Sequence, residues 1–144
     1  MQPIKLTVSR LIRTHGTNDP FKIAVRRNII VQCRPLKGIL GYHQTYRRIS
    51  FITIHNDLDE PERRFVCAHE LGHSILHPKV NTPFLRRNTL LSVDRIEREA
   101  NEFAVELLMP DELIYERQDL AMTIYEASAA YGVPEELAHL KRLT

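Results

Sequence analysis

Cysteine is scarce in this sequence, which has only Cys33 and Cys67 among its 144 residues. Two cysteines make neither a disulfide framework nor a four-thiolate zinc knuckle, so we expect reduced, buried thiols in a cytoplasmic protein. Residues 1–7 lack the apolar run of a secretory signal, and no stretch approaches the length that crosses a membrane. These absences disfavour disulfide-rich secreted proteins and membrane-spanning proteins.

Acidic residues are scarce in the first part of the chain, although the net charge of the whole is only +2. Residues 1–50 hold ten Lys or Arg against one acid, Asp19, whereas residues 51–144 hold ten against seventeen. The resulting charges of +9 and −7 allow two interpretations. In the first interpretation, the basic part binds nucleic acid or an acidic partner. In the second, it packs against the acidic part of the same chain. No basic motif interleaved with aromatic residues is present, so direct nucleic-acid binding is disfavoured.

The length predicts one domain over residues 1–144, because a chain with 43% hydrophobic content has room for one core and hardly for two. Apolar periodicity and β-branched runs predict an α+β fold. We expect N-terminal helices within residues 1–28, a small and mainly antiparallel sheet within 29–56, two longer helices within 57–110 and a helical tail within 111–144. The individual helices are predicted at 4–14, 20–27, 61–77, 94–109, 112–120, 122–131 and 134–143, and the strands at 29–33, 39–46 and 49–55. Residues 78–93 show no periodicity, so they form either an ordered loop or a mobile lid, and the sequence does not decide between the two.

Residues 69–73 read His-Glu-Leu-Gly-His, a pattern that arises by chance only about three times in a thousand chains of this size. On a helix, His69 and His73 lie one turn apart on one face, so their imidazoles can share a single metal ion, and zinc is the natural candidate. Glu70 is placed beside that pair, where it can act on a water held by the metal. The alternative is a helix in which the two histidines only satisfy hydrogen bonds.

A catalytic zinc needs three protein ligands and an open position, so a further ligand is expected elsewhere. The helix over 94–109 offers Glu97, Glu99, Glu102 and Glu106, and its apolar face is defined by Ile96, Ala100, Phe103, Ala104 and Leu107. On a helical wheel, Glu97 lies roughly 60° from the centre of that face, Glu99 about 100° and Glu102 about 160°. Glu97 is therefore the predicted third ligand, with Glu99 as its main rival. Asn101, one turn after Glu97, can hydrogen-bond a metal-bound imidazole and fix its tautomer.

Two other residues of the motif helix have open roles. His77 lies on the same helix face as His69 and His73 and is expected to pack near the site or contact substrate. The alternative is a helix-terminal histidine that only interacts favourably with the helix dipole. Gly72 costs about 1 kcal/mol against Ala within a helix, so we expect it to let another segment approach closely. Ala100 and Ala104 keep the other helix thin enough to do so.

Residues 68–77 and 97–110, taken together, resemble the ImmA/IrrE family of metallopeptidases. The Glu-x-x-Ala-Asn pattern of residues 97–101 also resembles the glutamate-bearing helix of gluzincins, in which Glu ligates zinc and an Asp or Asn one turn later supports a histidine. The likeness covers roughly residues 38–110. It implies a minimal zincin-like domain with a small sheet packed on the two site helices, and it assigns ligation to Glu97 and support of a histidine to Asn101.

The resemblance also implies a biological role. Members of this family are typically cytoplasmic bacterial or phage-borne proteases that cleave a helix-turn-helix repressor and so relieve repression of a mobile element or stress response. Peptide hydrolysis with zinc on His69, His73 and Glu97 and with Glu70 as the proton acceptor is then expected. The repressor, its cleavage site and the residue that stabilises the oxyanion stay open.

A regulator that cleaves nothing is the competing interpretation. Residues 127–138 loosely resemble a helix-turn-helix with Gly132 in the turn, and the basic first part of the chain offers a second binding surface. The supposed recognition helix begins with Glu135 and Glu136, however, and their carboxylates repel phosphate. Packing or docking of a repressor is therefore the favoured role for the helical tail.

Overall fold

The computed structural model describes residues 3–87, 94–118 and 123–143. It confirms the α+β class, with helices around a small sheet. The elements in chain order are α1 (Ile4–His15), α2 (Pro20–Arg26), β1 (Ile29–Arg34), β2 (Gly41–Tyr46), β3 (Ile49–His55), α3 (Glu60–Leu76), α4 (Arg95–Leu108), α5 (Asp111–Gln118), α6 (Ile124–Ala130) and a 3-10 helix (Glu135–Leu140). The helix predicted over 134–143 is thus a shorter 3-10 helix. Residues 88–93 of the predicted loop and the junction 119–122 between two predicted tail helices lie outside the described residues.

Side-chain caps set the start of both site helices. Asp59 accepts a hydrogen bond from the Glu62 backbone N–H, and Pro61 follows in the first turn of α3. Asp94 accepts from the Ile96 backbone N–H and begins α4. These caps fix where each helix starts.

The sheet is mixed rather than mainly antiparallel. Its strand order is β1-β3-β2, with β2 antiparallel and β1 parallel to the central β3. Arg47 and Arg48, with φ of 50° and 67°, form the two-residue turn between β2 and β3, as expected for a tight hairpin. Alternation in a strand reports which face is buried but carries no information on strand direction, so it could not reveal that β1 pairs on the far edge of β3.

Gly41 lets α3 lie close against the sheet. A Cβ atom at this position would be 2.6 Å from Val66 Cγ1 and 2.8 Å from the Thr53 backbone oxygen, too close for any side chain. Gly41 pairs with Ile54 in the β2–β3 register, and the fully buried Ile54 and Ile52 face the same side of the sheet. The face of the sheet against α3 is therefore the buried one.

Gly72 has the same role between the two site helices. A Cβ atom at Gly72 would lie 2.9 Å from Phe103 Cδ1 of α4, which confirms the predicted close approach. The approaching group is the Phe103 ring, whereas the sequence pointed to Ala100 and Ala104. The Phe103 ring fills the space above Gly72, so it sets the distance between α3 and α4 where α3 carries residues 69–73.

The first helix and the C-terminal segment meet through charges. Lys5 of α1 lies 2.6 Å from Asp111 Oδ1 and 3.8 Å from Glu106 Oε1, and Lys141 lies 2.7 Å from both carboxylates. Glu106 and the Lys141 side chain are almost wholly buried. At Lys5, basic and acidic parts of the chain thus pair with each other, as the second interpretation of the charge asymmetry expects.

The two cysteines differ in exposure. Cys67 lies in α3 and is buried, and burial strongly raises the pKa of its thiol. Cys33 is exposed near the end of the edge strand β1, so the expectation of two buried thiols is wrong for this residue. Both are free thiols. Among the described helices, none is long and apolar enough to cross a membrane.

Candidate metal centre

His69, His73 and Glu97 form one buried cluster at the α3–α4 interface. Glu97 Oε2 lies 3.1 Å from His69 Nε2, and Glu97 Oε1 lies 2.9 Å from His73 Nε2. The potential ligand atoms of the three residues all fall within 4.8 Å of one another. The helical repeat brings the two imidazoles together, and the packing of α4 on α3 brings the carboxylate to them.

The donor set of this cluster fits a divalent metal such as zinc. Two imidazole nitrogens and a carboxylate are ligands that zinc takes in catalytic sites. His69 Nε2 and Glu97 Oε2 are buried and face each other at 3.1 Å, yet neither has a hydrogen-bond partner among the described residues, a costly state for polar atoms unless both bind one ion. The residues present therefore fit a metal ion.

Burial and the neighbouring histidines act in opposite directions on Glu97. Burial raises the pKa of this carboxyl, but the interactions with His69 and His73 outweigh it and lower the pKa to about 2. Glu97 is therefore ionised near neutral pH, as a metal ligand must be.

Asn101 and His77 hydrogen-bond the two histidines. Asn101 Oδ1 lies 2.9 Å from His69 Nδ1, so it accepts the Nδ1–H hydrogen bond and leaves Nε2 with its lone pair. On the other side, His73 Nδ1 lies 3.0 Å from His77 Nδ1, and His77 Nε2 lies 2.8 Å from Glu99 Oε1. When His77 Nε2–H donates its hydrogen bond to Glu99, His77 Nδ1 can accept one from His73 Nδ1–H, and the lone pair of His73 Nε2 then faces Glu97.

The other glutamates of α4 point elsewhere. Glu99, the rival third ligand, pairs with His77 and is outside the cluster. Glu102 accepts a hydrogen bond from Arg142 at 2.9 Å, and Glu106 accepts one from Lys141 at 2.7 Å. Of the four carboxylates on this helix, only Glu97 lies with the motif histidines.

Glu70 is fully buried, and both of its carboxylate oxygens lack a hydrogen-bond partner among the described residues. Burial raises the pKa of Glu70 to about 8; His73 opposes this rise and Glu97 adds to it. A carboxyl with a pKa near neutrality can both accept and release a proton. Glu70 therefore has the chemistry of a general acid/base.

One residue near the cluster does not stand out in the sequence. His43 of β2 is half-buried, and the pKa of its imidazole is lowered by burial and by the nearby His73. Its Nε2 has no partner in the described part of the chain. Strand alternation places His43 on the same face as Gly41, but only the strand register shows that this face meets α3.

The segment that resembled a helix-turn-helix packs against the site helices. Gly132 has φ of 78° and lies against Pro61 at the start of α3, where a Cβ atom would be 3.1 Å from Pro61 Cβ. The supposed recognition helix is the 3-10 helix Glu135–Leu140, whose Leu137 and Ala138 are buried. The tail thus contributes to the core instead of presenting a long exposed helix.

The chain is similar to known proteins over most of its length. The model of the IrrE N-terminal-like domain, a peptidase family, matches residues 24–143. The chain is 44% identical over 142 residues to "Uncharacterized immunity region protein 2" of Bacillus phage phi105, covering 98% of this chain and 90% of the relative. It is 33% identical over 113 residues to Metallopeptidase ImmA of Bacillus subtilis (strain 168), covering 78% and 67%. With its buried histidine and glutamate cluster, the chain therefore belongs to the ImmA/IrrE family of metallopeptidases.

Proposed function

We propose that this chain is a zinc-dependent endopeptidase whose residues 1–144 form a single metallopeptidase domain. The observation that carries this proposal is the convergence of His69, His73 and Glu97 beside the buried carboxylate of Glu70, which has no hydrogen-bond partner among the described residues. Membership of a metallopeptidase family supports the reaction class. The imidazole and carboxylate donors support zinc.

In this proposal, His69, His73 and Glu97 bind the metal, and Glu70 moves the proton. Bound zinc lowers the pKa of a water molecule and polarises the scissile carbonyl. Glu70 accepts a proton from the attacking water and delivers it to the nitrogen of the leaving amine, so the same residue serves as base and then as acid. Asn101 and His77 hold the two imidazoles in the tautomer that leaves each Nε2 free.

The proposed substrate is a helix-turn-helix repressor of a phage, a mobile element or a stress regulon. The family resemblance supports this class of substrate, and one similar protein carries the name of an immunity region protein of a phage. A repressor acts on DNA, so the proposed place of action is the cytoplasm. Direct DNA binding by the chain itself is not proposed, because the tail is packed and Lys5 of the basic part is paired with Asp111 and Glu106.

Co-expression with each helix-turn-helix repressor encoded beside the chain tests this proposal. We expect the wild-type chain to remove one repressor and the Glu70→Gln variant to leave it intact, because loss of the proton acceptor costs roughly 10²- to 10⁴-fold in rate. Glu60→Gln, an exposed change on the same helix, is the matched control and should behave as wild type. A repressor that stays stable with both the wild-type and the Glu70→Gln chain would count against repressor cleavage.

A further inference from the structure

The face of the sheet that points away from α3 carries an apolar patch. Ile54 lies on the face against α3, so Ile49 and Phe51, each an odd number of residues away on β3, lie on the opposite face. In the strand registers, Phe51 is paired with Ile30 of β1, and Ile49 is paired with Tyr46 of β2. These four side chains therefore share the outer face of the sheet, and we call them the outer patch.

The outer patch is exposed although it is apolar. Ile30 and Ile49 are each 47% exposed, and Tyr46 is 57% exposed. On the same face, the Tyr42 ring contacts the ring of Phe84, which is 48% exposed, with 5.1 Å between the ring centres. The helix α3 packs on the other face and leaves the patch uncovered. A cluster of exposed apolar side chains on one face is typical of an interaction surface.

The chain around the outer patch is cationic. Residues 20–56 hold seven Lys or Arg and no Asp or Glu. Arg47 and Arg48 form the turn at one end of the patch, and the guanidinium carbon of Arg47 lies 5.3 Å from the centre of the Tyr46 ring. Arg34 is at the other end of the same face, where β1 ends. All three arginines are exposed, and none has a carboxylate partner in the part of the chain that the structure describes.

The dimensions of the outer face suit one α-helix. Three strands span about 14 Å, and six residues of a strand span about 20 Å. An α-helix is about 10 Å across and covers 20 Å with about 13 residues. Sheets in domains are commonly packed between layers of other elements, and a helix of another protein would supply the missing layer.

The side chains of the face limit the chemistry of the partner. Single-stranded nucleic acid stacks its bases on aromatic rings, whereas the exposed Ile30 and Ile49 are aliphatic and are dehydrated best by other aliphatic side chains. Carboxylates that flank an apolar stripe would complement the arginines at the two ends of the face. An acidic amphipathic helix combines both properties.

We propose that the outer patch, together with Arg34, Arg47 and Arg48, is a docking surface for an acidic amphipathic helix of another protein. The apolar stripe of that helix covers the patch, and its carboxylates pair with the arginines. The surface lies on the face of the sheet opposite α3 and its metal centre. The inference therefore goes beyond the proposed peptidase function and does not depend on it.

Binding of a synthetic helix to the purified full-length chain tests the docking surface. The probe is a fluorophore-labelled peptide with leucine on one helix face, glutamate on both sides of it and alanine elsewhere. Fluorescence anisotropy should show saturable binding that weakens as salt is added, because the charges are exposed. Replacing the glutamates by lysine, or the leucines by serine, should weaken binding at least about tenfold. No binding of the glutamate peptide, or equal binding of the lysine peptide, would overturn the proposal.

Two double variants of the chain then locate the binding. Arg47→Asn with Arg48→Gly removes both cations and keeps the turn, because Asn and Gly favour the left-handed backbone found there. Ile30→Thr with Ile49→Thr removes apolar surface and keeps β-branched residues in the strands. Each double variant should weaken peptide binding about tenfold. Thermal unfolding near the wild-type temperature would show that the fold is kept.

Arg10→Gln with Arg13→Gln is the matched control, since it removes two exposed cations of α1, and it should bind the peptide as wild type does. Binding that both face variants retain, or that the control loses equally, would contradict the assignment. The same variants identify other occupants. Tighter binding of an oligothymidine or of vesicles with phosphatidylglycerol, or self-association seen by light scattering, would overturn the proposal if the face variants abolished it.

Discussion

Asn101 Oδ1 lies 2.9 Å from His69 Nδ1, across the interface between α4 and α3. Both residues are buried, so no water competes for this hydrogen bond. The contact turns the imidazole so that His69 Nε2 faces Glu97 Oε2 at 3.1 Å. One amide thus links the position of the histidine to the helix that also carries the carboxylate.

Replacing Asn101 should weaken metal binding without abolishing the fold. We expect Asn101→Ala to lower zinc affinity about 10- to 100-fold, because loss of an outer hydrogen bond frees the imidazole to rotate and change tautomer. Asn101→Asp keeps the acceptor oxygen and should retain affinity close to wild type. Competition with a chromogenic chelator measures both. Unchanged affinity in Asn101→Ala would show that this contact does not orient the ligand.

Measurements of zinc affinity can also show which of Glu97 and Glu99 is the third metal ligand. Glu97→Gln removes the charged donor from the cluster and should reduce zinc affinity by more than the roughly 100-fold upper range for supporting residues. Glu99→Gln only weakens the contact to His77 and should reduce affinity by about 10-fold or less. If the two variants exchanged these effects, Glu99 would be the ligand.

Gly72→Ala should destabilise the protein although alanine is the better helix former. The new methyl group would be 2.9 Å from the Phe103 ring, and overpacking of a core costs about 1–3 kcal/mol, against a gain of at most about 1 kcal/mol in helix propensity. Urea unfolding of the metal-free chain measures the free energy of unfolding. Introducing Phe103→Leu first should reduce the cost of Gly72→Ala, and equal costs in both backgrounds would contradict the assigned contact.

Much of the site could be predicted because its signals are local. The spacing of His69 and His73 needs only the helical repeat, and the wheel of α4 separates Glu97 from Glu99 and Glu102 by their angle from the apolar face. The strands and most helix ends also follow from β-branched runs, caps and prolines. These patterns depend on residues within a few turns of each other.

The features that were missed depend on residues far apart in the chain. The parallel pairing of β1 with β3 and the position of His43 both require the strand order, which alternation does not encode. Glu106 is buried because Lys141, 35 residues later, pairs with it, and no residue near Glu106 in the sequence indicates that partner. The six-residue 3-10 helix that replaces the predicted final helix packs through Leu137 and Ala138.

The buried ion cluster at the C-terminal segment should matter for stability. Lys141→Met leaves the buried Glu106 carboxylate with only Lys5 at 3.8 Å and the Arg142 backbone N–H, so the cost should be below the roughly 3–5 kcal/mol of a buried charge with no partner. The double variant Lys141→Met with Glu106→Gln should recover part of that loss, because no charge is then left uncompensated. Thermal and urea unfolding report the difference. A single variant as stable as wild type would contradict this account.

Asp111 in the same cluster should make stability sensitive to acid. Burial raises the pKa of this carboxyl, but hydrogen bonds from Lys141 and Lys5 outweigh burial and hold the pKa below its ordinary value of 3.8. A carboxyl whose pKa is lowered on folding stabilises the fold above its unfolded pKa, and this contribution is lost as the pH falls through the folded pKa. Asp111→Asn should therefore flatten the stability curve below about pH 4. Identical acid limbs for the two proteins would contradict this account.

The Glu70→Gln variant of the purified chain gives the most direct test of the metallopeptidase mechanism. Zinc content and the rate of cleavage of a purified repressor are measured on the same preparations of wild type and variant. We expect one zinc ion per chain in both proteins, and a cleavage rate in the variant that is lower by at least about 10²-fold, because the three proposed ligands are intact and only the proton acceptor is lost. A variant that cleaves at the wild-type rate, or a wild-type chain that cleaves without binding zinc, would contradict the mechanism.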